Sequence, residues 1–270
     1  MSVVLHLSDT HFGTERPAVV EALVALAARQ RPDLVILSGD ITQRARPRQF
    51  RAARAFVDRL GAPVLAIPGN HDIALFDLWA RLTRPYARFT DAFGADLAPV
   101  HASPDLLVIG VNTTRARRHR HGEVSRSQME QVARRLATAG ERQLRVVVVH
   151  HPLAVPEAGE RANRLRGHEA AARAWAAAGA DLVLGGHIHL PFVMPVQGLA
   201  RPLWVVQAGT AVSTRTRPGV PNSVNLLRWG EAAAEDPARA DGRPGCRIER
   251  WDYCDQEQAF RPAWDTVIRP

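Results

Sequence analysis

The chain has 270 residues, 46% of them apolar, a length and composition with which a single α/β domain can bury a substantial core. Its net charge is +8 and it contains no lysine, so every basic residue is an arginine; this favours a solvated arginine-rich surface over a nucleic-acid platform. No apolar run approaches the ~20 residues needed to cross a bilayer, and no basic segment leads into an apolar stretch near Met1, so no membrane span is predicted and a cytoplasmic location is expected.

In chain order, the run 3–7 reads as a buried strand, 17–30 as a helix opening on Pro17, 34–38 as a strand, 47–60 as a helix opening on Pro47, and 64–68 as a strand. Further strands are predicted at 106–110, 145–149, 182–186 and 203–207, with helices at 125–139 and 167–178. The alternation predicts α/β layering. Polar loops at 112–124 and 153–166 are expected to flank the entrance to a site. The first contains the dense basic run 115–121, which lacks interleaved aromatic residues and so does not suit single-strand stacking. The stretch 230–245 reads as a flexible hairpin connection, because 246–253 alternates like another strand. Residues 1–270 are therefore expected to form a single domain, with 230–270 as a strand-rich extension. Cys246 and Cys254 have no CxxC spacing and are read as reduced thiols.

The carboxyl ends of these runs carry Asp9-x-His11, Asp40, Asn70, His150 and His187-x-His189. Two Asp, one Asn and four His combine hard oxygen donors with imidazoles, a mixture suited to two divalent transition-metal ions. One carboxylate must then bridge, and Asp40 is the candidate. Two such ions against two carboxylates leave about two positive charges, which suits a phosphate ester and a hydroxide. Taken singly, Asp9 could cap a turn, Asp40 after Gly39 could be turn chemistry, and Asn70 and His71 after Pro68-Gly69 could be a loop. Five such blocks in order weigh against coincidence.

The blocks LHLSDTHFG (5–13), LVILSGDIT (34–42), VLAIPGNHD (64–72), VVVVHHP (146–152) and LVLGGHIH (182–189) resemble those of the calcineurin-like metallophosphoesterase superfamily, over roughly residues 3–230. Within it the chain looks most like bacterial class III cyclic-nucleotide phosphodiesterases and glycerophosphodiesterases. The resemblance implies a four-layer αββα sandwich of two mixed sheets flanked by helices. It implies Asp9, His11, Asp40 and His189 on one ion, and Asp40, Asn70, His150 and His187 on the other, with a bridging hydroxide attacking in line. It favours His150 over His151 as ligand, since the first histidine of the H-x-P block coordinates. The ions implied are Mn with Mn or Fe, as divalent or mixed-valence ions, with Zn a further option.

The same resemblance places His71 beside the metals, where it would stabilise the transferring phosphoryl group or protonate the leaving oxygen. Asp72 reads either as a helix cap or as the partner that orients a histidine. Asn112, Arg44, Arg215 and Arg217 are candidate substrate contacts, the arginines as bidentate phosphate clamps. The expected substrate is a small phosphodiester, first a 3′,5′-cyclic nucleotide such as cAMP. A DNA or RNA nuclease, a lipid-headgroup pyrophosphate hydrolase and a non-enzymatic scaffold are the competing readings. A homodimer through an edge strand or the C-terminal region is the partner to look for.

Overall fold

The computed structural model describes residues 1–74, 77–118, 120–230 and 244–269. The chain first lays down β1 (Ser2–Leu7), α1 (Pro17–Gln30), β2 (Leu34–Leu37), α2 (Pro47–Val57) and β3 (Val64–Ala66), then the short helices α3 (Leu78–Thr83) and α4 (Ala87–Phe93). Both crossover helices open on the predicted proline, whose missing N–H would be unsatisfied at that position anyway. The middle of the chain supplies β4 (Val100–Ala102), β5 (Leu106–Gly110), α5 (Arg126–Leu136), β6 (Leu144–Val148), α6 (His168–Ala177), β7 (Leu182–Gly185), β8 (Phe192–Pro195) and β9 (Trp204–Gln207). The remainder adds β10 (Ser223–Trp229), β11 (Cys246–Cys254) and β12 (Ala259–Ile268).

Two six-stranded sheets result, ordered β12-β11-β10-β1-β2-β3 and β4-β5-β6-β7-β9-β8. Strands β1, β2 and β3 run parallel in the first, and β5, β6, β7 and β9 in the second, so each sheet is mixed, with antiparallel strands on one side of the first and at both edges of the second. Strand alternation sends Leu5, Leu7, Val35 and Leu37 outward against Leu23 and Leu26 of α1 and Phe50 and Phe56 of α2. The opposite face sends Val4, Leu34 and Ile36 inward against Val108, Val146, Val148 and Leu184 of the second sheet. On the far side Val147 and Val183 meet Leu136 of α5 and Trp175 of α6. This is the expected four-layer sandwich. Because the central strands are buried on both faces, they read as continuous apolar runs.

Strands β4, β8, β10 and β12 and helices α3 and α4 were not legible in the sequence. Strands β4 and β8 are short and only partly buried, and α3 has no buried residue, so neither periodicity nor run length marks them. The predicted strand at 246–253 is β11, with the free thiols Cys246 and Cys254 at its two ends. Most of the predicted hairpin connection, 231–243, lies outside the described residues. Among those described, no helix is long and apolar enough to cross a membrane.

Trp175 is fully buried against the second sheet. Its replacement by alanine is expected to cost about 3–5 kcal/mol, read as a lower urea midpoint with little change in slope.

Candidate metal centre

Parallel strands from both sheets deliver their carboxyl ends to one place. Asp9 and His11 follow β1, Asp40 follows β2, Asn70 follows β3, His150 follows β6, and His187 and His189 follow β7. Asp9, His11 and His189 form one cluster, and Asp40, His150 and His187 a second; within each, the potential ligand atoms lie within 4.8 Å of one another. In the first, His189 Nε2 is 3.1 Å from Asp9 Oδ1 and 3.3 Å from His11 Nε2. Asp40 reaches both clusters. Its Oδ1 is 3.3 Å from His150 Nε2, and its Oδ2 is 3.8 Å from His11 Nε2.

The backbone at these residues is unusual. Asp9, His11, Asp40, His187 and His189 all have positive φ, between 42° and 74°. The left-handed region costs an L-residue roughly 1–2 kcal/mol, so five such positions need an external restraint. Part of it comes from backbone bonds between the first two loops, Asp9 N–H to Gly39 O (3.1 Å) and His11 N–H to Asp40 O (3.0 Å). Part comes from the ligand carboxylates: Asp40 Oδ1 accepts from His71 N–H (2.8 Å) and Asp9 Oδ2 from His187 N–H (2.9 Å).

Asp72 restrains the Asp40 loop further. It is buried, and its carboxylate accepts from the N–H groups of Gly69, Ile41 and Thr42 and from the Thr42 hydroxyl, at 2.8–3.0 Å. Burial and then the nearby Asp40 push it up to about 6, against those backbone donors. It therefore ties the Asn70 loop to the Asp40 loop and, through Gly69 N–H, caps the short 3₁₀ turn Asn70–Asp72. It does not cap α3, whose N-cap is Asp77, accepting from Ala80 N–H at 3.0 Å. The fit between the loops requires glycine at 69, where a Cβ would lie 2.1 Å from Asp40 N and 2.2 Å from Asp40 Oδ1.

Neighbouring carbonyls set the imidazole tautomers. His150 Nδ1–H donates to Ser38 O (2.8 Å), and His189 Nδ1–H donates to Arg215 O; a carbonyl can only accept, so each Nε2 is left to face its cluster. Burial lowers His11 and His187 to about 3. Burial also opposes charge on His150, but the Asp40 carboxylate overcomes it and raises that histidine to about 9. Asp9 likewise raises His189 against burial. Both carboxylates are held well below the usual range despite burial, Asp9 chiefly by His189 and Asp40 chiefly by His150. The Oδ1 atom of Asn70 is buried with no hydrogen-bond partner, as an acceptor facing a cation would be. The donor set therefore fits two divalent ions.

The competing histidine lies elsewhere. His151 is buried with Nδ1 3.0 Å from Thr113 Oγ1 and its ring 4.5 Å from that of His187, so it backs the second cluster instead of facing Asp40.

A cavity of about 480 Å³ opens over the clusters, with Asp40, Asn70, His71, His187 and His189 in its lining. His71 Nδ1–H donates to Gln43 O (2.9 Å), which turns Nε2 toward Arg215, whose NH1 is 3.2 Å away. The walls include Arg215, Arg217, Arg120, Glu160 and Asn163. Of the substrate contacts suggested by sequence, Arg215 and Arg217 are in this lining and Arg44 and Asn112 are not. Arg44 is exposed, and the Asn112 side chain accepts from Thr114 N–H (3.0 Å) and its hydroxyl (2.7 Å). Arg120, Glu160 and Asn163 were missed, although they fall within the two loops expected to flank the entrance.

The calcineurin-like phosphoesterase family model matches residues 2–191. The chain belongs to this family. A cAMP/cGMP dual specificity phosphodiesterase of Mycobacterium tuberculosis is 30% identical over 210 residues, 69% of this chain and 61% of that protein. The glycerophosphodiester phosphodiesterase GpdQ of Enterobacter lignolyticus is 39% identical over 83 residues, 26% of this chain and 29% of GpdQ. The matched stretches span less than two thirds of either relative. In fold, a dimetal phosphatase from Danio rerio superposes with a TM-score of 0.67 at 14% identity, covering 99% of this chain and 98% of that one.

Two outcomes follow from the geometry. Gly69→Ala is expected to abolish binding of Mn²⁺ by forcing Asp40 aside, read by metal content after dialysis. Because the Asp40 carboxylate raises His150 to about 9, Mn²⁺ binding at pH 7 is expected to release a proton from that histidine, a contribution expected to shrink as the pH passes about 9. Calorimetry in buffers of different ionisation enthalpy measures it.

Proposed function

We propose that the chain is a dinuclear-metal phosphodiesterase acting on a small soluble phosphodiester, with a 3′,5′-cyclic nucleotide as the first candidate. The observation that carries this reading is Asp40, which directs one carboxylate oxygen to each of two histidine-containing clusters on the floor of one cavity. Asp9, His11, Asp40 and His189 would hold one ion, and Asp40, Asn70, His150 and His187 the other. Mn with Mn or Fe suits these donors, and Zn is compatible with them. A bound pair of divalent ions would supply Lewis-acid charge to the phosphoryl oxygens and a water of lowered pKa.

The chain's own residues do the rest. The Gln43 carbonyl fixes the His71 ring so that Nε2 faces the open side of the site. There His71 would hydrogen-bond the transferring phosphoryl group or carry the proton of the leaving oxygen. Arg215, linked to Gln43 Oε1 (3.0 Å) and to His71, is a cation of fixed charge beside the same atoms. The cavity volume lies in the range of small-ligand sites, which favours a mononucleotide-sized diester over a nucleic-acid duplex. The substrates named for the mycobacterial relative support a cyclic nucleotide.

The test compares bis-p-nitrophenyl phosphate, p-nitrophenyl phosphate, cAMP and short single-stranded DNA, with Mn²⁺ or with chelator. Turnover of the diester and of cAMP that is lost with chelator and in Asp40→Ala is expected; cleavage of DNA alone would instead identify a nuclease. His71→Ala is expected to keep its metal and lose about 10²–10⁴-fold in kcat, read from paired kinetics and metal analysis.

A further inference from the structure

The cavity wall carries three arginines, 120, 215 and 217, and one carboxylate outside the two clusters, Glu160. Glu160 belongs to a short 3₁₀ turn, Ala158–Asn163, in the loop after β6. Both of its oxygens are engaged. Oε1 lies 2.8 Å from Arg217 NH1, and Oε2 accepts from Asn163 Nδ2 at 2.6 Å. Burial works to raise its pKa, but the hydrogen bonds from Arg217 and Asn163 hold it below the ordinary range, so it is ionised at neutral pH. Arg217 NH1 also donates to Ile188 O (3.2 Å), the carbonyl between His187 and His189. The guanidinium is thereby pinned to the β7 loop on one side and neutralised by Glu160 on the other.

A phosphodiester carries one negative charge, whereas a phosphomonoester carries nearly two at neutral pH. Among the described residues, Arg120 and Arg215 have no carboxylate partner within ion-pair distance; two such cations suit the first, and a third would favour the second. We propose that Glu160 is a specificity-determining residue: by keeping Arg217 in an internal ion pair, it withholds a third guanidinium from the substrate and biases the site toward monoanionic diesters. This rests on the diesterase reading above and adds a residue that sets its selectivity.

The experiment measures kcat/KM for p-nitrophenyl phosphate and bis-p-nitrophenyl phosphate in the Mn²⁺-loaded protein, in Glu160→Gln and in Glu160→Gln/Arg217→Ala. Calorimetric binding of inorganic phosphate and of dimethyl phosphate to the same three proteins gives the comparison without turnover. Glu160→Gln is expected to raise the monoester-to-diester ratio roughly five- to tenfold, and inorganic phosphate binding by a similar factor. Removing Arg217 as well should return both toward wild type. Simple loosening of the 158–163 turn would not reverse in the double variant. A ratio unchanged in Glu160→Gln, or still raised in the double variant, overturns the role of Glu160. A wild-type protein that prefers the monoester overturns the diesterase reading itself.

Discussion

The contact between Asp40 and His150 joins the two halves of the molecule at the point where the chemistry is expected. Asp40 ends β2 in the first sheet and His150 follows β6 in the second, and their side chains meet at 3.3 Å in the buried seam between the sheets. A buried carboxylate without a cation is strongly unfavourable. The Asp40 carboxylate raises His150 and the Asp9 carboxylate raises His189, each against burial. A cation bound at the same oxygens would answer the same electrostatic need, so proton and metal ion would compete there.

The same requirement accounts for the backbone. Turning ligands from five strands toward one volume forces five non-glycine residues into the left-handed region. Hydrogen bonds between the loops restrain them, those of Asp9 and His11 N–H to the Asp40 loop and of His187 N–H to Asp9 among them, while the four accepted by Asp72 tie down the Asp40 loop. Asp72 illustrates how a buried carboxylate beside His71 can act through loop geometry. The glycine at 69 is required by contact with Asp40, since any side chain would displace the Asp40 carboxylate.

Above the clusters the governing consideration becomes the number of unpaired positive charges. A chain whose basic residues are all arginine places three of them around one cavity, and Glu160 neutralises one. Selectivity for charge would then be set on loops, while the clusters stay on strand ends, a division expected when a rigid scaffold carries variable surface segments.

The sequence by itself determined the central strands, because burial on both faces writes them as uninterrupted apolar runs. It determined α1 and α2, because proline marks their first turn. It also showed the six cluster residues and Asn70, because each lies within a few residues of a strand end and local chain direction carries it to the sheet end. The H-x-P block favoured His150 over His151, and the tertiary structure shows why the two differ, since adjacent residues face different sides of the strand end. Only the tertiary structure removed Arg44 and Asn112 from the cavity lining and brought Arg120, Glu160 and Asn163 into it. Those positions depend on loop paths and on pairings between distant segments, such as Glu160 with Arg217, and no local period or spacing encodes them.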